Sequence, residues 1–216
     1  MLERMTDFFT ARLNGYDEHM LSDIEGSTEF YPYTASLLPT SEGVCVLDLG
    51  CGTGLELEYY FSMNPDADVT GIDLSADMLD RLRSKFPDQK MTLINASYFD
   101  VPLGTEHYDA AVSVESLHHF TKEQKLGLYR NLANALKENG QFVLTDYFAE
   151  SDEQETECFQ ELRRMREEQN LPEGVFYHYD TPLTVDHETE VLREAGFKSI
   201  RVMKNWGATY TLIAAR

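Results

Sequence analysis

Apolar and polar positions follow two alternating patterns along the chain from about residue 42 onward. Short apolar runs bounded by glycine or polar residues predict buried strands, and apolar residues every three or four positions predict helices between them. Five strands with intervening helices are predicted by residue 148, and a helix followed by two strands is predicted in residues 184–216. Strands and helices that alternate at this spacing are typical of an α/β protein with a largely parallel sheet.

Two of the predicted helices have clear end signals. Ser75 is a suitable N-cap for one of them, and Pro87 stops the same helix. The segment Thr121-Lys122-Glu123-Gln124 has the form of a capping box, and the helix that it opens is predicted to end at Asn139-Gly140. The fifth strand is then predicted from Gln141 to Tyr147.

A glycine-rich loop follows the first predicted strand directly. The segment Asp48-Leu49-Gly50-Cys51-Gly52-Thr53-Gly54 has glycine at alternate positions, and helix-forming residues resume at Leu55. Glycine lets backbone N–H groups approach a small polar ligand, and a helix N-terminus favours anionic atoms. A dinucleotide-binding loop would have its third glycine at Leu55, so the spacing disfavours a pyrophosphate cofactor. The simpler interpretation is a turn that uses glycine only for its geometry.

Polar residues also follow the next three predicted strands. Asp73 ends the second strand at about the separation from the glycine loop at which an acid can accept both ribose hydroxyls. The third strand leads into the loop Ala96–Pro102, and the fourth leads into the polar elbow Glu115–Phe120. In doubly wound sheets, ligands bind beyond the carboxyl ends of the strands, which is where these segments are expected.

The order of the glycine loop, Asp73, the loop after the third strand and the elbow after the fourth resembles that of the class I S-adenosylmethionine-dependent methyltransferases. The resemblance covers roughly residues 42–148. The resemblance implies a Rossmann-like, doubly wound sheet of seven mostly parallel strands, with helices on both faces and the last strand antiparallel. It also implies S-adenosyl-L-methionine as the cofactor, with its methionine part at the glycine loop, its ribose at Asp73 and its adenine at the loop after the third strand. The residues expected at the cofactor are Asp48, Gly50, Cys51, Gly52, Gly54, Asp73, Leu74, Met78, Ala96, Ser97, Tyr98, Val114 and Glu115.

Three of these contacts have alternative interpretations. Ser97 stands where the family often has an acid that accepts the adenine amino proton, and a hydroxyl acceptor would make a weaker contact. Tyr98 could stack on adenine or serve only in packing. Glu115 could contact the cofactor or be an exposed acid of the elbow.

We expect a single domain over residues 1–216, with four parts. These are an N-terminal helical flap (1–41), a cofactor-binding core (42–148), a helical insertion or lid (149–183), and a C-terminal helix with two strands (184–216). The flap and the insertion are rich in aromatic residues with polar tips, which suit an acceptor pocket. The candidate acceptor residues are Tyr16, His19, Tyr31, Tyr33, Tyr177, His178 and Tyr179. Packing of both segments onto the sheet would account for these residues equally well.

Methyl transfer is an in-line attack on an activated methyl group, so orientation and exclusion of water supply most of the catalysis. A general base is needed only if the acceptor arrives protonated. His119 is the first candidate for that base and His118 the second, because neutral imidazole is available near pH 7. Histidines in such an elbow can also serve only to orient or pack.

Charge and cysteine content narrow the function further. Acidic residues number 38 against 18 basic ones, for a net charge of −20, which opposes a nucleic-acid partner. The three cysteines are scattered without disulfide or metal-ligand spacing, so no metal site and a reducing cytoplasmic location are expected. The N-terminus lacks the apolar core of a signal peptide and no membrane-spanning run occurs, so no membrane association is expected.

The sequence therefore predicts a methyltransferase that acts on a small-molecule acceptor, as a monomer or homodimer. One alternative is an enzyme that modifies the wobble uridine of transfer RNA with S-adenosylmethionine or a derivative. Another is a protein that binds the cofactor without catalysis.

Overall fold

A seven-stranded sheet runs through the centre of the computed structural model, which describes residues 1–216. The strands are β1 (Cys45–Leu49), β2 (Asp68–Asp73), β3 (Met91–Asn95), β4 (Tyr108–Val114), β5 (Leu136–Tyr147), β6 (Ser199–Trp206) and β7 (Thr209–Ala215). Their spatial order is β3-β2-β1-β4-β5-β7-β6, with β1 to β5 parallel and β7 antiparallel to both neighbours. The predicted fold is confirmed, including the antiparallel last strand.

Eight helices surround this sheet. They are α1 (Met5–Arg12), α2 (Tyr16–Asp23), α3 (Ser27–Ser36), α4 (Leu55–Met63), α5 (Ala76–Lys85), α6 (Lys122–Ala135), α7 (Asp152–Glu168) and α8 (Val185–Glu194). Successive side chains of a strand point to opposite faces, and Val46 and Leu47 accordingly belong to two different buried clusters. No helix has both the length and the apolar character needed to cross a membrane.

The predicted start of α6 is confirmed, but its predicted end is wrong. Thr121 and Gln124 form the reciprocal capping box, whereas the helix ends at Ala135 and not at Asn139-Gly140. Leu136 is fully buried and pairs with Tyr108 of β4. It therefore belongs to the sheet, and β5 begins five residues earlier than expected. Gly140 does not have the positive φ of a helix C-cap, because it lies within the strand.

Backbone hydrogen bonds join the N-terminal segment to the insertion after β5. The Met5 N–H donates to the Phe176 carbonyl and the His178 N–H donates to the Glu3 carbonyl, each at 3.0 Å. Arg4 and Tyr177 form an antiparallel bridge between these two bonds. The two segments outside the cofactor core are therefore held together as one cover.

Candidate active site

The glycine loop between β1 and α4 needs glycine for both conformation and space. Gly50, Gly52 and Gly54 all have positive φ, at 75°, 48° and 73°. A Cβ on Gly50 would lie 2.0 Å from Ser116 Oγ, so the end of β1 approaches the elbow after β4 as closely as glycine permits. A Cβ on Gly52 would meet only the Gly50 carbonyl at 4.0 Å, so the middle of the loop faces open space.

Asp73 connects the end of β2 to this loop. One oxygen of its carboxylate accepts from the Gly52 N–H at 2.9 Å, and the other accepts from the Ser75 N–H at 2.8 Å. Burial raises the pKa of Asp73, and these two backbone donors oppose that rise. The carboxylate lies at the wall of a cavity of about 50 Å³, which we call the cofactor cavity.

The cofactor cavity brings together eight of the thirteen residues expected at the cofactor. These are Gly50, Gly52, Asp73, Leu74, Met78, Tyr98, Val114 and Glu115. The same wall contains five residues that were not assigned to the cofactor, namely Met5, Phe9, Tyr16, Ser116 and His119. Met5 and Phe9 are spaced four residues apart on α1, a helical signal that could have identified them as one buried face.

Five other expected residues do not line this cavity. Cys51 is buried against Gly71, and Gly54 is the N-cap of α4. The Ser97 hydroxyl accepts from the Phe99 N–H at 3.2 Å within its own loop, next to half-buried Ala96. Asp48 lies in β1, two residues before Gly50, and its side chain is buried in the protein.

The Asp48 carboxylate has an unusual environment. It is 1% exposed, and neither of its oxygens has a hydrogen-bond partner in the protein. Burial and the neighbouring Glu56 carboxylate raise the pKa of Asp48 well above its ordinary value. Buried carboxylates normally have donors, so this group is suited to a cationic or hydrogen-bonding ligand group bound near the start of the loop.

A larger cavity of about 760 Å³ adjoins the cofactor cavity, and we call it the acceptor cavity. Phe9, Tyr16, Glu115 and His119 line both cavities. The acceptor cavity also extends to the ends of β4 and β5 and to the turn between β6 and β7. A molecule in this cavity would therefore lie directly beside one bound at the glycine loop.

Three of the seven candidate acceptor residues line the acceptor cavity, namely Tyr16, His19 and His178. The other four make different contacts. Tyr31 is buried with its ring 4.7 Å from that of Phe30, and the Tyr33 ring packs 5.4 Å from that of Trp206. Tyr177 lines a third cavity, of about 660 Å³, beside Arg166 on α7. Tyr179 contributes its backbone carbonyl to His119.

His118 contacts two carboxylates. Its Nδ1 lies 2.5 Å from Asp146 Oδ1, and its Nε2 lies 3.5 Å from Asp180 Oδ1. Asp146 also accepts from the N–H groups of Leu117 at 2.8 Å and Tyr147 at 3.0 Å. Burial would lower the pKa of His118, but the two carboxylates outweigh it and raise the pKa to about 10. His118 is therefore an imidazolium at neutral pH.

His119, unlike His118, is neutral at neutral pH. Its Nδ1 lies 3.1 Å from the Tyr179 carbonyl oxygen and 3.3 Å from Asp180 Oδ1. Burial and the positive charge of His118 lower the pKa of His119. A carbonyl only accepts, so Nδ1 carries the hydrogen and Nε2 keeps its lone pair. His119 lines all three cavities, and the neutral ring can accept a proton there.

Glu115 is held in a strained conformation between these groups. Its φ is 49°, in the left-handed region, and its N–H donates to the Thr145 carbonyl at 2.9 Å. Its side chain accepts from Thr209 Oγ at 3.1 Å, and burial together with Asp146 raises its pKa to about 7. Strained backbone that the surroundings hold in place is frequent at functional sites.

Comparisons with known proteins relate this chain to methyltransferases. A family profile described as a methyltransferase domain matches residues 46–140. The chain is 27% identical over 190 residues to 27-O-demethylrifamycin SV methyltransferase of Amycolatopsis mediterranei, a match that covers 86% of this chain and 65% of that protein. It is 28% identical over 116 residues to tRNA (carboxymethyluridine(34)-5-O)-methyltransferase of Saccharomyces cerevisiae, which covers 53% of this chain and 39% of that protein.

A solved structure shares the fold as well. An S-adenosylmethionine dependent methyltransferase from Mesorhizobium loti superposes with a TM-score of 0.61 at 22% identity, over 86% of this chain and 96% of that one. The chain spans between about a quarter and two thirds of the length of the curated relatives that it matches.

Proposed function

We propose that this chain is a class I S-adenosylmethionine-dependent methyltransferase that transfers a methyl group from S-adenosyl-L-methionine to a small-molecule acceptor. The observation that carries this proposal is the contact between the two cavities. The cofactor cavity contains the glycine loop and Asp73, and it shares His119 and Glu115 with the acceptor cavity. A donor and an acceptor bound there would meet beside a neutral histidine.

The residues present fit this cofactor. Asp73 would accept from the ribose hydroxyls, the glycine loop would hold the methionine part, and the buried Asp48 carboxylate lacks the donors that the cofactor's amino group could supply. The cavity of about 50 Å³ is well below the roughly 300 Å³ at the lower end for small-molecule sites. Met5, Phe9 and Tyr16 close it, so the cover must move before the cofactor enters.

The side chains at the wall shared by the cofactor and acceptor cavities have different roles in the proposed reaction. The cofactor, when bound, supplies a methyl group that is activated by a positively charged sulfur. His119 accepts the acceptor's proton at Nε2, while the Tyr179 carbonyl and Asp180 hold its Nδ1–H. His118 remains charged, keeps the pKa of His119 low and is itself held by Asp146. The apolar walls from Phe8, Phe9 and Trp206 exclude water from the acceptor.

Two features favour a small acceptor over the alternatives. The net charge of −20 opposes the phosphate backbone of transfer RNA, although one relative named for a transfer-RNA reaction matches half of this chain. A protein that only binds the cofactor would need no second cavity, whereas here a cavity of about 760 Å³ adjoins it.

Incubation with methyl-labelled S-adenosylmethionine tests the proposal. We expect label in a small-molecule fraction of a metabolite extract, none in bulk transfer RNA, and strong loss of labelling with His119→Ala. Label in the RNA would support the transfer-RNA alternative. Tight cofactor binding without transfer to either fraction would support a non-catalytic role.

A further inference from the structure

Two histidines and an aspartate form a compact cluster at the edge of the acceptor cavity. His118 Nε2 lies 3.5 Å from Asp180 Oδ1, and His119 Nδ1 lies 3.3 Å from the same oxygen. All three ligand atoms lie within 4.8 Å of one another. The Thr181 N–H donates to the His118 carbonyl at 2.8 Å, which fixes the insertion with Asp180 beside both rings.

The two separations that include Asp180 match a small tetrahedral ion. Zinc binds nitrogen and oxygen ligands at about 2.0–2.2 Å, which places neighbouring ligand atoms of a tetrahedron about 3.3 Å apart. Two imidazoles and one carboxylate are a common ligand set for first-row divalent ions, and three protein ligands leave a fourth position open. All three residues border the acceptor cavity, so a water or a small molecule has room at that position.

The surroundings of the cluster support a cation in two further ways. His118 Nδ1 is held at 2.5 Å by Asp146, which is itself fixed by two backbone N–H groups. A carboxylate on the far nitrogen is one of the usual partners that orient metal-binding histidines. Glu115 adds a third carboxylate, 4.0 Å from His118 Nδ1, to those of Asp146 and Asp180.

We propose that His118, His119 and Asp180 bind a divalent transition-metal ion of the zinc type, which displaces the protons on His118 Nε2 and His119 Nδ1 to solvent, and that this ion excludes the proton transfer assigned to His119. The exclusion follows from the tautomer. An ion on His119 Nδ1 leaves the ring hydrogen on Nε2, so Nε2 has no lone pair to accept a proton. The metal site is independent of the proposed methyl transfer, whereas the inhibition rests on it. The sequence-based expectation of no metal site depended on cysteine spacing and did not consider this cluster.

Calorimetric titration of the full chain with zinc chloride tests the site. We expect one ion per chain, and about a tenfold or greater loss of affinity in Asp180→Asn. Asp180 is 51% exposed, so this variant is expected to fold. The matched control is Asp152→Asn, which removes the same charge from an exposed acid 3.8 Å from another histidine, His187, and should leave zinc affinity unchanged.

Three outcomes would overturn the site. The first is the absence of stoichiometric binding. The others are an equal loss of zinc affinity in both variants and displacement of zinc by excess magnesium, each of which would indicate attraction to the acidic surface alone. Substitution with Co²⁺ gives a second readout, because a low-coordinate site produces a strong visible absorption that Asp180→Asn should lose. In the labelling assay, zinc should inhibit the wild type, and binding without inhibition would overturn only the link to His119.

Discussion

His118 and His119 follow the same strand, but their side chains contact different groups. The carboxylates of Asp146 and Asp180 raise the pKa of His118 to about 10, whereas burial and the charge of His118 lower that of His119. The charge on the first ring therefore helps to keep the second neutral. Replacing either histidine should change the pKa of the other. A single variant therefore does not separate the contribution of one histidine from that of its neighbour.

His119→Ala should lower kcat by about a hundredfold or more, the usual contribution of a general base, with little change in cofactor Kd. Turnover and calorimetry measure the two quantities. His107→Ala is the matched control, because His107 is exposed and lines none of the three described cavities. An equal loss of turnover and cofactor affinity would instead assign His119 to cofactor binding.

The pH dependence of kcat should follow the lowered pKa of His119. The base form is the unprotonated ring, so activity should persist below the ordinary histidine value of about 6.5 and fall only as pH drops through the lowered pKa. In His118→Asn the neighbouring positive charge is absent, so the acid limb should move to higher pH. An acid limb that stays in place would mean that the charge of His118 does not act on the base.

Asp73→Ala should weaken S-adenosylmethionine binding by about 1.5 to 3 kcal/mol, the range for hydrogen bonds to a charged group, or roughly ten- to hundredfold in Kd. The carboxylate also holds the Gly52 N–H, so the loop loses a partner as well. Calorimetry provides the measurement, with Asp80→Ala on the exposed face of α5 as the control. Equal affinities of the two variants would contradict the assignment.

At the scale of elements, the N-terminal segment and the insertion act as one cover. The bridge between Arg4 and Tyr177 and the two backbone bonds beside it connect segments that are far apart in the chain. Met5 and Phe9 of α1 and Tyr16 of α2 extend from this cover over the cofactor cavity. Opening for the cofactor should therefore move both segments together.

Cofactor binding should slow hydrogen exchange in residues 5–23 and 176–178 as well as in the glycine loop, because the cover closes on the bound molecule. Exchange measured by mass spectrometry with and without S-adenosylmethionine tests this. Helix α8 is the internal control, since it packs on α6 and β6 and lines none of the described cavities. Protection confined to the glycine loop would show that the cover does not respond.

At the scale of the whole molecule, acidic charge dominates the long-range field. A net charge of −20 on 24.8 kDa repels polyanions and favours cations near the surface. Within the acceptor cavity, Asp23, Glu25 and Asp180 add to that field.

Transfer RNA should bind with negligible affinity at physiological salt, because phosphate binding depends on clustered lysine and arginine. A filter-binding titration against bulk transfer RNA measures this. Binding near micromolar that weakens steeply with added salt would contradict the prediction and favour an RNA substrate.

Much of the candidate cofactor site follows from local sequence. Gly50, Gly52 and Asp73 are spaced along one βαβ unit in a way that predicts, from chain order alone, that they lie at the same cavity. Asp146 had no comparable signal, because it reaches the site only when β4 and β5 align side by side. The early start of β5 was missed for a similar reason, since the pairing of Leu136 with Tyr108 overrides the helix-ending signal at Gly140.

The sequence by itself determined the sheet, the strand-end positions of the glycine loop and Asp73, and the strongly acidic charge, because these depend on periodicity, spacing and composition. Only the tertiary structure decided which aromatic residues line the acceptor cavity, where Tyr16 and His178 do and Tyr31 and Tyr33 do not. It also decided the charge states of His118 and His119. Those depend on burial and on carboxylates from β5 and the insertion, which approach the histidines only in the folded chain.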